Sequence, residues 1–262
     1  MSTPPGDSGL IDLTGQEIPG RSGTLRGYLA VPSAAAHPPP WPGAVMVFEA
    51  FGLDEQMRAH ADRLAAAGYL TLMPDLYSDG GARRCVVATF RALLAGQGRP
   101  FADLEAARRR LATDERCTGR IGVIGFCLGG GFALLGASRG FDAAAVNYGA
   151  GVPDDLDAAV ADACPIVASY GGRDGSLRGM AARLEAALTR AGVVHDVLEY
   201  PQAGHSFLNT GPNGPRAIRP LLRASGAGPH PPAAEHAWAR IEQFFAAHLR
   251  PPLPPGEWAM GK

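Results

Sequence analysis

Residues 121–131 read Ile121-Gly-Val-Ile-Gly-Phe-Cys127-Leu-Gly-Gly-Gly131, an apolar run ended by a cysteine and followed by three glycines. The run 121–126 predicts a buried strand and 128–138 a helix, so Cys127 stands at the turn between them. A nucleophile flanked two positions away by glycines in such a connection is a nucleophile elbow. The reactive residue there takes strained backbone angles, and its flanking residues must be small because strand and helix pass close together. The helix N-terminus behind the turn adds unpaired N–H groups and partial positive charge, which stabilise an anion. A merely buried cysteine is the plain alternative. The glycines, spaced Gly122-x-x-Gly125-x-x-x-Gly129, do not follow the G-x-G-x-x-G of a dinucleotide turn, and no Gly-Lys-Ser/Thr follows for a phosphate loop.

Outward from this stretch, short apolar runs alternate with longer helical patterns. Strands are expected at 25–31, 43–48, 69–73, 143–148, 165–170 and 194–200. Helices are expected at 54–67, 101–116, 177–191 and 233–249. In 54–67 the residues Met57, Ala61, Leu64 and Ala65 fall on one side. Strands alternating with helices of ten or more residues require crossover connections. The expected class is therefore α/β, with a mostly parallel central sheet and helices on both faces.

Composition bounds the function. Gly and Pro, 35 and 23 of 262 residues, are about twice as frequent as usual. More than half of them fall in 1–42, 209–232 and 250–262. The chain thus divides into a loose tail 1–22, a single body 23–249 with a Gly/Pro-rich insert at 209–232, and a tail 250–262. The insert is expected to lie as a long loop near the mouth of a pocket. A net charge of −1, with Lys262 the sole lysine, argues against a nucleic-acid surface. No apolar run approaches a membrane span. The N-terminus lacks a secretory pattern and the four cysteines lack metal spacing, so a cytoplasmic, reduced setting is expected. Seven scattered histidines give no metal motif, and neither metal nor cofactor is expected.

Two further residues join Cys127. Asp174, in Tyr170-Gly-Gly-Arg-Asp-Gly, follows one predicted strand, and His205, in Ala203-Gly-His-Ser-Phe, follows the next. Taken singly, Asp174 reads as a turn residue and His205 as a loop histidine. Together they give the order nucleophile, acid, histidine of the α/β-hydrolase triad, each after a strand, where a parallel sheet gathers its active-site loops.

With Glu49-Ala-Phe-Gly-Leu, Arg63-Leu-Ala-Ala-Ala-Gly-Tyr, Pro74-Asp-Leu-Tyr, Gly125-Phe-Cys-Leu-Gly-Gly, Gly171-Gly-Arg-Asp and Ala203-Gly-His-Ser-Phe, the chain resembles the dienelactone hydrolase family over roughly residues 23–249. The resemblance implies an α/β-hydrolase fold with Cys127, Asp174 and His205 as the triad. It also implies that Glu49 contacts the resting thiol and that the backbone N–H groups of Ala50 and Leu128 form the oxyanion hole. Without it, Glu49 reads equally as a solvated loop acid. Ala50 and Leu128 also occupy, on their own reading, the two places from which this fold draws oxyanion donors.

The implied activity is hydrolysis of a small-molecule ester or lactone through an acyl-Cys intermediate. A thiolate leaves a tetrahedral intermediate more readily than a simple alkoxide, so esters with stabilised leaving groups, such as enol lactones, are favoured. Family members that cleave dienelactones carry arginines where this chain has Asp79 and Asn209, which leaves the substrate open. Arg83 and Arg84, or Arg216 and Arg219 of the insert, either take over anion binding or are solvated charges. Tyr148 either lines the pocket or packs in the core. Acyl transfer or thioester hydrolysis by the same three residues, and a non-catalytic binding scaffold, are the alternative readings.

Overall fold

Every residue of Trp41–Val47, Leu70–Pro74, Ala143–Asn147 and Ile166–Gly171 is buried, as strands covered on both faces require. The computed structural model describes residues 8–13, 18–21, 23–211, 214, 216, 217, 219–224 and 226–250. Its strands are β1 (Gly9–Leu13), β2 (Leu25–Ala30), β3 (Trp41–Val47), β4 (Leu70–Pro74), β5 (Cys117–Phe126), β6 (Ala143–Asn147), β7 (Ile166–Gly171) and β8 (His195–Tyr200). Its helices are α1 (Glu55–Ala66), α2 (Ala82–Leu94), α3 (Arg99–Ala112), α4 (Leu128–Gly136), α5 (Leu156–Val160), α6 (Met180–Ala191), α7 (Arg219–Ala224) and α8 (Pro231–Leu249), with a 3-10 turn at Gly175–Leu177.

The strands form one sheet in the order β1-β2-β4-β3-β5-β6-β7-β8. From β4 to β8 the pairings are parallel, and β2 runs antiparallel to both β1 and β4. Helices cover both faces, as β5 shows residue by residue. A Cβ on Gly122 would meet Leu249 and Phe245 of α8, whereas a Cβ on Gly136 of α4 would touch Val123. Successive strand residues point to opposite faces, so α8 and α4 lie on opposite sides. On the α8 side, α1 is tied in by Arg63, whose guanidinium reaches Glu242 at 3.1 Å and Glu235 at 3.2 Å over the Trp238 ring.

Three expectations need correction. Residues 9–13, read as part of a loose tail, form β1, which pairs along its whole length with β2 at the sheet edge. Arg21, in the same segment, is buried between Asp103 at 2.6 Å and Asp79 at 2.9 Å. The helix expected at 101–116 stops at Ala112, because Asp114 turns the chain by accepting from the Arg116 N–H. The helix expected from residue 177 begins at Met180, after a left-handed Gly179 that separates it from the 3-10 turn. The tail at 250–262 lies, beyond Arg250, outside the described residues.

Candidate active site

The carboxyl ends of β3, β5, β6, β7 and β8 lead into Glu49 and Ala50, Cys127, Tyr148, Asp174 and His205 respectively. Parallel strands end on one edge of the sheet, which brings these six residues into one region.

Cys127 has φ 54° and ψ −116°, outside the regions that side-chain-bearing residues ordinarily occupy. The strain is held by bonds on both sides. Its N–H donates to Asn147 O at 3.1 Å, and its carbonyl accepts from Gly130, Gly131 and Ala150. The flanking glycines are demanded by space, since a Cβ on Gly125 would fall 1.8 Å from Gly129 O and one on Gly129 2.1 Å from Val47 O. Leu128 opens α4, so its N–H has no acceptor within the helix. Ala50 lies in the turn after β3, and its carbonyl accepts from the Tyr77 hydroxyl at 3.1 Å.

His205 Nδ1 and Asp174 Oδ2 are 2.5 Å apart. Burial alone would raise the Asp174 carboxyl, but the bonds from His205 and Ser176 outweigh it and hold the group below its usual range. Burial likewise works against a charged imidazole, yet hydrogen bonds to Asp174 and Cys127 lift His205 to about 10. Cys127, His205 and Asp174 are therefore linked in one chain of contacts.

Tyr148 is fully buried, with its ring centroid 5.1 Å from that of His205. Burial, and then the nearby charge of Glu49, push its phenol well above the usual range, so it keeps its proton. The hydroxyl closes no hydrogen bond of ordinary geometry among the described residues. Of the two readings of Tyr148, the core position is clear, and its ring also walls the His205 side of the site. Among non-glycine residues, the described chain has positive φ at Cys127, Tyr148 and Ser206. All three flank this site, a clustering of strain that the sequence does not reveal.

Glu49 is buried, and both its carboxylate oxygens accept from Asn209 Nδ2 at 3.3 Å. Asn209 Oδ1 in turn lies 2.9 Å from His60 Nε2. The solvated-acid reading of Glu49 therefore does not hold. Asp79 is bound to Arg21 and to Arg99 at 3.1 Å. Asp79 and Asn209 are thus both engaged with the protein itself.

A cavity of about 840 Å³ opens beside Ala50, walled by Phe51, Ala82 and Val86, with Arg83 and Arg219 among its lining residues. Arg84 and Arg216 are exposed. From the insert, Gly214 lies against the Phe51 ring, and the Gly228 N–H donates to His205 O at 2.9 Å. Its described residues thus run between the cavity and the His205 loop. Sequence reasoning passed over His60 and Phe51. His60 lies three residues after Met57 on the buried face of α1, a spacing that marks burial but no polar partner. Among the described residues no group of three or more His, Cys, Asp or Glu could hold a metal, and no helix is long and apolar enough to cross a membrane.

The chain is 31% identical over 189 residues to the carboxymethylenebutenolidase of Pseudomonas putida, covering 67% of this chain and 78% of that one. A dienelactone hydrolase-like promiscuous phosphotriesterase from metagenomic libraries superposes with a TM-score of 0.73 at 20% identity, over 94% of this chain and all of the other. The dienelactone hydrolase of Anabaena variabilis gives 0.62 at 17% identity, over 95% of this chain and again all of the other. These two show the α/β-hydrolase fold. Because the model of the dienelactone hydrolase family itself matches residues 25–249, nearly the whole body, the chain belongs to that family and is a hydrolase of ester or lactone bonds.

Proposed function

We propose that the protein hydrolyses carboxylic esters or lactones with activated leaving groups, using Cys127 as nucleophile and an acyl-Cys intermediate. One observation carries the reading: His205, bonded through Nδ1 to Asp174 at 2.5 Å, also partners Cys127 at the strained elbow. With Nδ1 engaged by the carboxylate, Nε2 is the ring nitrogen left to exchange a proton with the thiol.

In the first step the Cys127 sulfur, its proton passed to His205, attacks the carbonyl carbon, and the C=O electron pair moves onto oxygen. The N–H groups of Ala50 and Leu128 receive this oxyanion, each worth about 3 kcal/mol of transition-state stabilisation. Collapse breaks the C–O bond, and His205 returns the proton to the departing oxygen. In the second step His205 takes a proton from water, whose oxygen attacks the thioester; collapse breaks the C–S bond, releasing the acid and the Cys127 sulfur, to which His205 returns the proton. Asp174 orients the ring and stabilises its charged form throughout.

Sulfur selects the substrate. Expulsion of thiolate competes with expulsion of the alcohol oxygen, so enol esters, enol lactones and aryl esters go forward where alkyl esters revert. Arg83 and Arg219, on the cavity wall beside Ala50, are the cations we assign to any anionic group of the substrate.

The test is a hydrolysis panel crossing enol lactones, aryl esters and alkyl esters, each with and without a carboxylate. It is run on wild type and Cys127→Ala, with iodoacetamide labelling located by peptide mass. The expected result is activity confined to the activated substrates, abolished by Cys127→Ala and by one equivalent of label on Cys127. Undiminished turnover by Cys127→Ala would overturn the reading.

A further inference from the structure

Glu49 is held from behind by a pair of uncharged residues. His60 is buried on α1, its ring stacked on Phe126 at a centroid distance of 4.8 Å and tilted against Trp238 at 5.3 Å. Its Nε2 lies 2.9 Å from Asn209 Oδ1, and Asn209 Nδ2 lies 3.3 Å from each oxygen of Glu49. Asn209 is itself buried.

Hydrogen-bonding capacity fixes the direction of every bond in this series. A carboxylate only accepts, so Asn209 must turn its NH2 towards Glu49. Its carbonyl oxygen then faces His60 and needs a donor there, so His60 must carry hydrogen on Nε2. Without that donor the amide would lose its reason to keep this orientation, and a flipped amide would set oxygen against carboxylate. The ring cannot swing away, because Phe126 and Trp238 hold it, and Phe126 is the residue before Cys127. His60 therefore ties Phe126, at the backbone approach to the elbow, to the amide that holds the Glu49 carboxylate.

We propose that His60 and Asn209 are positioning residues for Glu49, setting its carboxylate beside Cys127 and Tyr148 by uncharged hydrogen bonds. The proposal rests on the reading of Cys127 as nucleophile with Glu49 beside it. It makes Asn209, four residues after His205, part of the inner support of the site and not a group that meets substrate.

The experiment compares wild type, His60→Phe, Glu49→Gln and the double variant in the full chain, with 4-nitrophenyl acetate as ester. It reads kcat, KM, the rate of Cys127 alkylation by iodoacetamide, and melting temperature. His60→Phe keeps an aromatic ring but removes the donor. It is expected to lower kcat about tenfold with KM changed by less than about twofold, to alter the alkylation rate, and to add nothing in the Glu49→Gln background. His60→Gln retains an N–H donor and is expected to recover kcat to within about threefold of wild type. If His60→Phe does not fold, Asn209→Asp, which opposes one carboxylate with another, completes the same cycle.

An equal loss of kcat in both backgrounds, or unchanged kcat and alkylation in the variant that folds, overturns the positioning role. Turnover by Cys127→Ala, or an unaffected Glu49→Gln, would instead overturn the underlying mechanism. An inactive Cys127→Ala and an impaired Glu49→Gln beside an unaffected His60→Phe would sink the positioning pair alone.

Discussion

Asp174 Oδ2 stands 2.5 Å from His205 Nδ1, while Oδ1 of the same carboxylate accepts from the N–H of Ser176 at 3.0 Å and its hydroxyl at 2.6 Å. The carboxylate is thus oriented before it orients the imidazole. Asp174→Asn keeps the shape but replaces an acceptor by an amide that can present N–H to Nδ1, favouring the wrong tautomer. It is expected to lower kcat by about three to four orders of magnitude with a nearly unchanged fold. Steady-state kinetics with circular dichroism checks this. An activity loss below tenfold would mean that Asp174 does not govern the ring.

The elbow glycines make a prediction about stability. A Cβ on Gly125 would overlap the Gly129 carbonyl, and its three nearest atoms all belong to the Gly129–Gly130 backbone, which leaves no flexible side chain to yield. Gly125→Ala is expected to cost at least about 3 kcal/mol in urea denaturation. Gly175, one residue after Asp174, meets nothing within 4 Å. Gly175→Ala is expected to change stability by no more than about 0.5 kcal/mol, which separates crowding from mere proximity to the site.

Arg21 and Asp103 form a buried ion pair, with side chains 2% and 0% exposed. Burial raises the Asp103 carboxyl while Arg21 and Arg99 oppose that rise. Removing one partner leaves the other buried without it, so Arg21→Met is expected to cost about 3–5 kcal/mol, measured by chemical denaturation. The double replacement of Arg21 and Asp103 by apolar residues should cost less than the single one. A negligible cost for Arg21→Met would return the segment to the status of a tail.

These residues also mark where the sequence was legible. The fold could be read because β3, β4, β6 and β7 are continuous apolar runs, and because Gly125, Cys127 and Gly129 can occupy a strand-to-helix turn in few ways. Asp174 and His205 followed from their place after strands. The β1 strand was hidden among glycines and prolines, whose frequency masked five residues whose pairing with β2 is fixed by backbone bonds. Helix α2 was hidden for the opposite reason. Its buried positions are Cys85, Thr89 and Leu93, while the larger Val87, Phe90 and Leu94 are exposed, so hydrophobic spacing does not mark its inner face. Asn209 and His60 are 149 residues apart, and no local pattern can announce a bond across that separation.

His60 gives the last prediction, on stability against pH. Its burial, with Arg63 adding to the effect against the opposing Asn209 bond, depresses the imidazole from 6.5 to about 4. The unfolded chain therefore binds a proton at His60 between pH 6.5 and 4 where the folded chain does not. The contribution is fully present above about pH 6.5 and is lost progressively as the pH falls towards 4. A depression of this size corresponds to about 3 kcal/mol of stability lost across that window. Urea midpoints measured from pH 7.5 to 4 should fall steeply in wild type. In His60→Phe, which has no proton to bind at this position, the curve should be flatter by that amount after Asp174 and the other carboxylates have made their common contribution. Parallel curves for the two proteins would show that His60 is not held neutral by the fold.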